Sequence, residues 1–453
     1  MDQSDSTIQR PGDAPGLRNA FGFATFNALS YQIVLGSPMI LYAKSLEAGA
    51  TVLGIVAGMM PLLVIFQIPA ANHVPRVGYR RFMVSGWSLR VLFIFLMAGV
   101  PLTAGFLKPM GRLSLMLFLL FGFNLSRGIS SAAWLPWITT LLPPEGRGWY
   151  LARESAYNSG ASILSLLLAA AVLRYQPTPW QYAAIFAFSG VTGAISLRFL
   201  RRIPDAPCEA ETRRSGEPVP WRTLAAHPPF RKLLRLNVAW ALAYGGLTAF
   251  TVAYLKVAAG LSTGWILVST AVSYVGGLSA LIMLGERLDR HGSKPVLTLC
   301  LSGWLVVGLA WCLLAGGVML PRFGVILALQ WLMGLGYAVF TMANTRLAMG
   351  VVPPMGRSHF FALFSVVSNL TLGIAPVIWG LLIDGWGARA PVIQGVEINR
   401  YALFFMLATL AFAGGLGLCR RLDEPQAGRV RRLLRELLGG RPLRSWIRLW
   451  PRN

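Results

Sequence analysis

The sequence predicts an all-α integral membrane protein, built from twelve transmembrane helices arranged as two six-helix halves. Three observations carry this. Of 453 residues, 55% are hydrophobic and only 13% charged, with a mean hydropathy of +0.58, whereas a soluble globular chain carries about a quarter charged residues. The apolar residues fall in runs of about 20 or more, the length a helix needs to cross a bilayer, separated by short polar connections. Finally, segments of the first half recur in the second at a nearly constant offset. A water-soluble enzyme is excluded by the composition alone.

The first span is an uncharged run over 19 to 43, long enough to cross with some tilt. The residues before it carry Asp2, Asp5 and Asp13, unlike the basic start of a cleaved signal, so no signal peptide is expected. Further spans are predicted over 49–71, 82–104, 113–141, 155–173, 181–199, 236–258, 262–284, 296–317, 323–348, 358–383 and 401–419. The interval 201 to 235 is long and polar, with Pro204, Pro207, Pro218, Pro220, Pro228 and Pro229 among mixed charges, and reads as a linker. The chain thus divides into an N-terminal half (1–200), a basic linker (201–235), a C-terminal half (236–419) and a basic tail (420–453). Cys208 lies in the linker and Cys300, Cys312 and Cys419 in or at the ends of spans, with neither metal-ligand nor disulfide-framework spacing, so they are read as small apolar fillers. No metal or cofactor is expected.

Cation placement sets the orientation. With both termini cytoplasmic, about 31 of the 41 Lys and Arg fall on cytoplasmic segments, about 8 on the opposite side, and Arg90 and Arg127 inside spans. The net charge of +24 is therefore a topological signal of a multi-pass cell-membrane protein, with a bacterial inner membrane as the expected setting. The tail segment RVRRLLRELLGGRPLRSWIRLW (429–450) mixes Arg with Leu, Ile and Trp, and Gly439, Gly440 and Pro442 split it into two short amphipathic pieces. Such pieces lie on anionic lipid at the cytoplasmic leaflet. Nucleic acid is not an expected partner, and the chain is read as a monomer.

The halves repeat. LLPPEGRG at 141–148 returns as VVPPMGRS at 351–358, and YAKSLEAG at 42–49 returns less closely as YLKVAAGL at 254–261, offsets of 210 and 212. Six spans per half start and end on the same side, so the repeats are parallel, related by an axis along the membrane normal.

The segment GERLDRHGSKPVL at 285–297 resembles the G-x-L-x-D-R-x-G-R/K loop signature of the major facilitator superfamily, with Gly285, Asp289, Arg290, Gly292 and Lys294 in matching positions and Leu288 one position late. The corresponding loop of the first half, NHVPRVGYRR at 72–81, keeps Arg76, Gly78 and Arg80 but has Pro75 where the family carries its carboxylate. The resemblance spans almost the whole chain and implies that family's fold and alternating access between the halves. In it these loops act as a charged latch, a short Gly-bounded turn whose pairings change as the halves rock. Retention of cations on one side accounts for the same residues without a latch.

The resemblance also implies that spans 1, 4, 7 and 10 line a central cavity. On span 4, Asn124, Arg127 and Ser131 share one face; on span 10, Gly334, Tyr337, Thr341 and Asn344 do so. The offset of 210 places Tyr337 on Arg127 and Thr341 on Ser131. Asn237, Tyr244, Thr248 and Thr251 form a stripe on span 7, with Tyr244 answering Gln32 of span 1. The candidate substrate-binding residues are therefore Arg127, Asn124, Ser131, Gln32, Tyr244, Thr248, Tyr337, Thr341 and Asn344.

Arg127 lies 16 positions before Pro143, roughly 24 Å from the cytoplasmic end at about 1.5 Å per residue. An arginine at that depth faces a bundle interior or a watery cavity. It either awaits an anionic or strongly hydrogen-bonding substrate or is satisfied by carbonyls and amides of neighbouring spans. Arg90 and Arg346, nearer the cytoplasmic ends, are expected to snorkel. All 17 Asp and Glu, and His73, His227, His291 and His359, fall in tails, loops or span ends, which argues against a midplane proton relay. Glu154 is expected to pair with Arg153, Arg147 or adjoining cations. Gly54 and Gly58 permit close helix approach, and Pro38, Pro61, Pro136 and Pro376 bend spans.

The function that follows is a secondary transporter of a small polar or anionic organic solute. The competing readings are a non-transporting membrane scaffold on the same fold, favoured by the degenerate first latch, and a lipid or drug exporter. An enzyme is not expected: no His-rich metal cluster, catalytic dyad or nucleotide loop is present in the sequence.

Overall fold

The computed structural model describes residues 15–141, 147–206, 227–351, 357–422 and 424, with the side chains of 15–17, 139, 147–149, 281–291 and 357–362 excepted. Most of the predicted linker and nearly all of the tail lie outside the described residues.

Each apolar run forms a helical span. Among the described residues, ten are long and apolar enough to cross a membrane. The other two are the first, broken at Gly36 into Pro15–Leu35 and Ser37–Ser45, and the eighth, Thr263–His291. Spans 2 to 4 are each finished by short segments. Span 2 runs Ala50–Leu63, Val64–Phe66 and Gln67–Ala71, span 3 runs Tyr79–Gly99 and Val100–Gly105, and span 4 runs Pro109–Ser130, Ser131–Ala133 and Trp134–Leu141. Spans 5 and 6 are Arg147–Val172 and Pro179–Arg202, span 7 is Pro228–Tyr244 and Leu247–Val257, and spans 9 to 12 are Ser293–Ala315, Phe323–Val351, Arg357–Trp386 and Arg400–Arg420. The prolines act at several breaks: Pro38 is the second residue of the second piece of span 1, and Pro61 lies three residues before span 2 tightens into a 3-10 turn. Strands β1 (Val392–Ile393) and β2 (Val396–Glu397) form a small hairpin between spans 11 and 12.

The packing obeys the repeat. In the first half, span 1 packs on 5 and 6, span 3 on 4 and 6, and span 2 on 4. Adding six to each number gives the main pairs of the second half: 7 on 11 and 12, 9 on 10 and 12, and 8 on 10. The halves meet through span 2 on 11 and span 5 on 8, and the same addition carries each of these pairs into the other.

We call the membrane face bearing the start of span 1 and the end of span 12 the basic face. Among the described residues, most hydrogen bonds between the halves lie toward the opposite face. Ser37 and Thr270 hydroxyls are 3.1 Å apart, Gly264 N–H donates to the Arg174 carbonyl at 2.9 Å, and Asp384 takes N–H groups from Ala50 and Thr51. Gly54 and Gly58 lie so close to span 11 that a Cβ on either would overlap the carbonyl oxygens of Pro376 and Gly373 respectively. The halves are therefore closed at the opposite face.

The predicted latch loops are mostly helix. Span 8 continues to His291, seven residues past the predicted end at 284, and the turn is a single residue, Gly292, at φ 81° and ψ 172°. In the first half a four-residue helix Val74–Val77 leads to Gly78 at φ 85° and ψ 148°. These values lie in a region that side chains disfavour and glycine tolerates, so Gly78 and Gly292 make the same turn in each half. The spans outlast the apolar runs because a helix continues wherever its backbone is bonded, past the edge of the hydrocarbon, until a residue such as glycine ends it.

Candidate functional site

The site is built from breaks and polar faces at mid-span. Span 1 breaks at Gly36 and span 7 at Gly245 and Gly246. Nine residues before Gly36 stands Asn27, and nine before Gly246 stands Asn237. Each serves its own half. The Asn237 and Asn344 side chains exchange hydrogen bonds at 3.1 and 2.8 Å, tying span 7 to span 10. Asn27 accepts from Trp87 at 3.3 Å and from the Arg90 guanidinium, tying span 1 to span 3.

Arg90 does not snorkel. It is 0% exposed, held between the rings of Trp87 (4.8 Å) and Phe123 (5.2 Å), and its Nε and Nη1 have no hydrogen-bond partner. The physical reason is depth: span 3 starts at Tyr79 rather than 82, so Arg90 lies 11 residues in, about 16 Å from the helix start at 1.5 Å per residue, beyond the reach of its side chain to water. Arg346 stands 3.7 Å from the Glu424 carboxylate, which itself accepts the Ser293 and Lys294 backbone N–H groups at 2.9 and 2.6 Å.

Arg127 is partly exposed, and no hydrogen bond or ion pair engages it among the described residues. It lies within electrostatic range of Tyr31 and Arg90. Tyr274, whose hydroxyl donates to Gln32 Oε1 at 2.7 Å across the halves, lies within electrostatic range of both Tyr31 and Tyr337. A chain of polar side chains thus runs from Arg127 in one half to Tyr337 in the other at mid-span.

The remaining predicted lining residues divide. Tyr337, Thr341 and Thr345 are exposed at spacing i, i+4 and i+8 on span 10, and Thr248 is exposed on span 7. Tyr244 is partly exposed and hydrogen-bonds Thr248. Asn344 is buried in its amide pair with Asn237, so it is structural and not free to meet a solute. Asn124 is likewise buried, its amide donating back to the Leu120 carbonyl at 2.9 Å. Ser131 accepts from Gln67 at 2.6 Å, and Gln32 is occupied by Tyr274. Except at Asn124, whose buried Oδ1 is left without a partner, a neighbouring group has claimed a polar side chain that helical spacing alone shows only as polar. Tyr31, Tyr274 and Thr345 escape the reading by sequence; Tyr274 lies on a span outside the four expected to line the cavity.

Of the latch residues, Gly78 and Gly292 make the turns above, and Arg76 and Arg80 are exposed. Lys294 donates to the Leu422 carbonyl at 2.8 Å. The side chains of Asp289 and Arg290, and Gly285 beyond its helical backbone, lie outside the described residues. Glu154 takes a hydrogen bond from Trp134. Cys300, Cys312 and Cys419 are free thiols, buried or partly buried.

Aromatic rings fill the second half of the site. Phe340, Trp240, Tyr244 and Tyr337 form a column, with successive centroids 3.6, 5.2 and 4.9 Å apart and interplanar angles of 7°, 6° and 22°. Trp304 meets Trp240 and Tyr244 edge-on. The spacing that builds the column is visible in sequence as Trp240 and Tyr244 at i, i+4 and Tyr337 and Phe340 at i, i+3.

No curated protein matches the chain in sequence. Solved structures match it over most of its length. The D-xylose-proton symporter has 12% identity, with 91% of this chain and 99% of that one covered and a TM-score of 0.69. The inward-open xylose transporter XylE from E. coli gives 14%, 92%, 98% and 0.67 in the same order. The nucleoside transporter NupG gives 12%, 90%, 98% and 0.62. At these identities the likeness is one of fold. The family model of the Major Facilitator Superfamily matches residues 20–285 and again 258–453, two overlapping matches that together span nearly the whole chain, and the chain therefore belongs to that superfamily of multi-pass membrane transporters.

Proposed function

We propose that the protein is a secondary transporter that carries a small anionic organic solute by alternating access, with Arg127 as the seat of the anion. One observation carries this reading: Arg127 stands at mid-span, partly exposed, with no hydrogen bond or ion pair to any described residue. A guanidinium satisfied by neighbouring carbonyls would be a structural element, whereas one left with free donors in a low-dielectric setting is a receptor for a carboxylate or phosphate. Tyr337, Thr341 and Thr248 supply further exposed polar groups. In this reading the basic face is cytoplasmic by the cation rule, residues 1–200 and 236–419 are the rocking halves, 201–235 joins them, and 420–453 lies on anionic lipid.

The test is uptake into proteoliposomes across a panel of labelled organic anions, sugars and neutral drugs, with and without a pH gradient. Arg127→Ala, with folding preserved, is expected to lower anion uptake at least about tenfold, the effect of losing one charge-assisted contact. Unchanged kinetics in that variant would remove the anion reading. The predicted insensitivity to a pH gradient follows from the absence of a carboxylate or imidazole at mid-span among the described residues.

A further inference from the structure

The two halves share a backbone but not a chemistry. Aligning the identical turns at Gly78 and Gly292, 214 residues apart, places Trp304 on Arg90. The 210 offset of spans 4 and 10 places Tyr337 on Arg127. The same two positions are thus guanidinium and guanidinium in the first half, indole and phenol in the second. Their burial matches as well: Arg90 and Trp304 are 0% and 2% exposed, while Arg127 is partly exposed and Tyr337 43% exposed. In each half a buried group is thus matched with an exposed one of like character.

From this we infer that the solute is an anion borne on a flat, π-rich body, its charge held at Arg127 and its ring laid on Tyr337, the exposed end of the aromatic column. The inference rests on the anion reading of Arg127 given above and adds the ring to it. Three features support it. Tyr337 is fixed from behind by Tyr244, which is fixed by Trp240, which is fixed by Phe340, so the outer ring is a rigid platform rather than a mobile side chain. Offset-stacked rings attract beyond the area they bury, so such a platform discriminates flat π systems from saturated ones. Arg90 keeps two guanidinium nitrogens unpartnered within electrostatic range of Arg127, which adds positive potential on the cationic side without another exposed polar group. Tyr31 lies within electrostatic range of Arg127, and Tyr274 within range of Tyr31 and Tyr337 while its hydroxyl donates to Gln32 across the halves.

Three probes separate charge from ring: 2-naphthoate, decalin-2-carboxylate (same charge and similar shape, no π face) and 2-naphthamide (same rings, no charge). Binding to the full chain in lipid nanodiscs would be measured by titration calorimetry. The expectation is that 2-naphthoate binds at least about tenfold tighter than either comparator. Tyr337→Leu should abolish its advantage over the decalin acid, Tyr337→Phe should recover that advantage, and Arg127→Gln should abolish the advantage over the amide, each variant being checked for a cooperative melt. Equal binding of the two carboxylates, with Tyr337→Leu silent, would overturn the ring and leave the anion reading standing. Equal binding of naphthoate and naphthamide, with Arg127→Gln silent, would overturn the anion reading, and the inference with it. Failure of both carboxylates to bind a well-melting protein also counts against both.

Discussion

Asp384, in the last turn of span 11, caps span 2 through Thr51. Its carboxylate accepts the Thr51 backbone N–H at 2.8 Å, the Thr51 hydroxyl at 2.7 Å and the Ala50 N–H at 2.9 Å. The residue at span 2's own N-cap, Gly49, has no side chain to do this, so the helix start in one half is satisfied by an acid of the other. A carboxylate at a helix N-terminus is favoured by both the free N–H groups and the helix dipole. The contact exists only while the opposite face is closed.

Replacing Asp384 by Ala should therefore loosen that face without disturbing either half. Charge-assisted hydrogen bonds contribute about 1.5–3 kcal/mol each, so the closed population should fall at least about tenfold relative to the open one. Spin labels at positions 44 and 256, on the opposite face of each half, would report longer distances by electron-electron resonance. An unchanged distance distribution would mean the cap is incidental to closure.

Gly58→Leu should act on the same face by steric means. The added side chain meets the carbonyl of Gly373, a backbone atom of a packed span, and cannot be accommodated by a rotamer change. Overpacking of this kind costs typically about 1–3 kcal/mol. The label distances should lengthen as for Asp384→Ala, while Gly99→Leu, where a Cβ meets nothing within 4 Å, should leave them as they are.

Arg90→Met separates a binding cation from a structural one. The guanidinium is wholly buried with two unpartnered donor atoms, and exchanging a buried, incompletely paired charge for an apolar side chain of similar length is often neutral or stabilising. The expected melting temperature is therefore no lower than that of the parent, accompanied by weaker anion binding. A fall of about 5 °C or more, the scale of a lost kilocalorie or so in a domain-sized unit, would show that Arg90 holds spans 1, 3 and 4 together instead.

The amide pair gives a cycle. Asn237→Leu or Asn344→Leu strands the partner's amide in the core of the second half and should cost about 1–3 kcal/mol. The double variant removes both polar groups and should regain most of that loss, which denaturation of the two singles and the double would measure. Additive losses would mean the two amides act independently.

The spans, their number and the repeat are legible because apolar length and internal similarity are local properties of the chain. Depth is less so. Arg90 and span 8 both depart from expectation because a helix ends at a glycine, not at the edge of an apolar run, and the three residues between 79 and 82 take Arg90 out of reach of water. Polar faces are visible in sequence, but not which members are already engaged: Asn344 and Ser131 lie on the same stripes as Tyr337 and Arg127, and only the partners on other helices, Asn237 and Gln67, distinguish them. The column of rings is spread across spans 7 and 10 as ordinary aromatic residues, and its order is a tertiary fact.

Arg127 has an electrical consequence. Among the described residues no carboxylate pairs with Arg127, and the buried Arg90 adds a second cation, so on the anion reading the site is strongly positive when empty and carries one positive charge less when loaded. A membrane potential acts on charge that moves through it, by about 2.3 kcal/mol per elementary charge per 100 mV. The loaded carrier would then feel the field less than the empty one, and voltage would weigh most on the step in which the empty site returns.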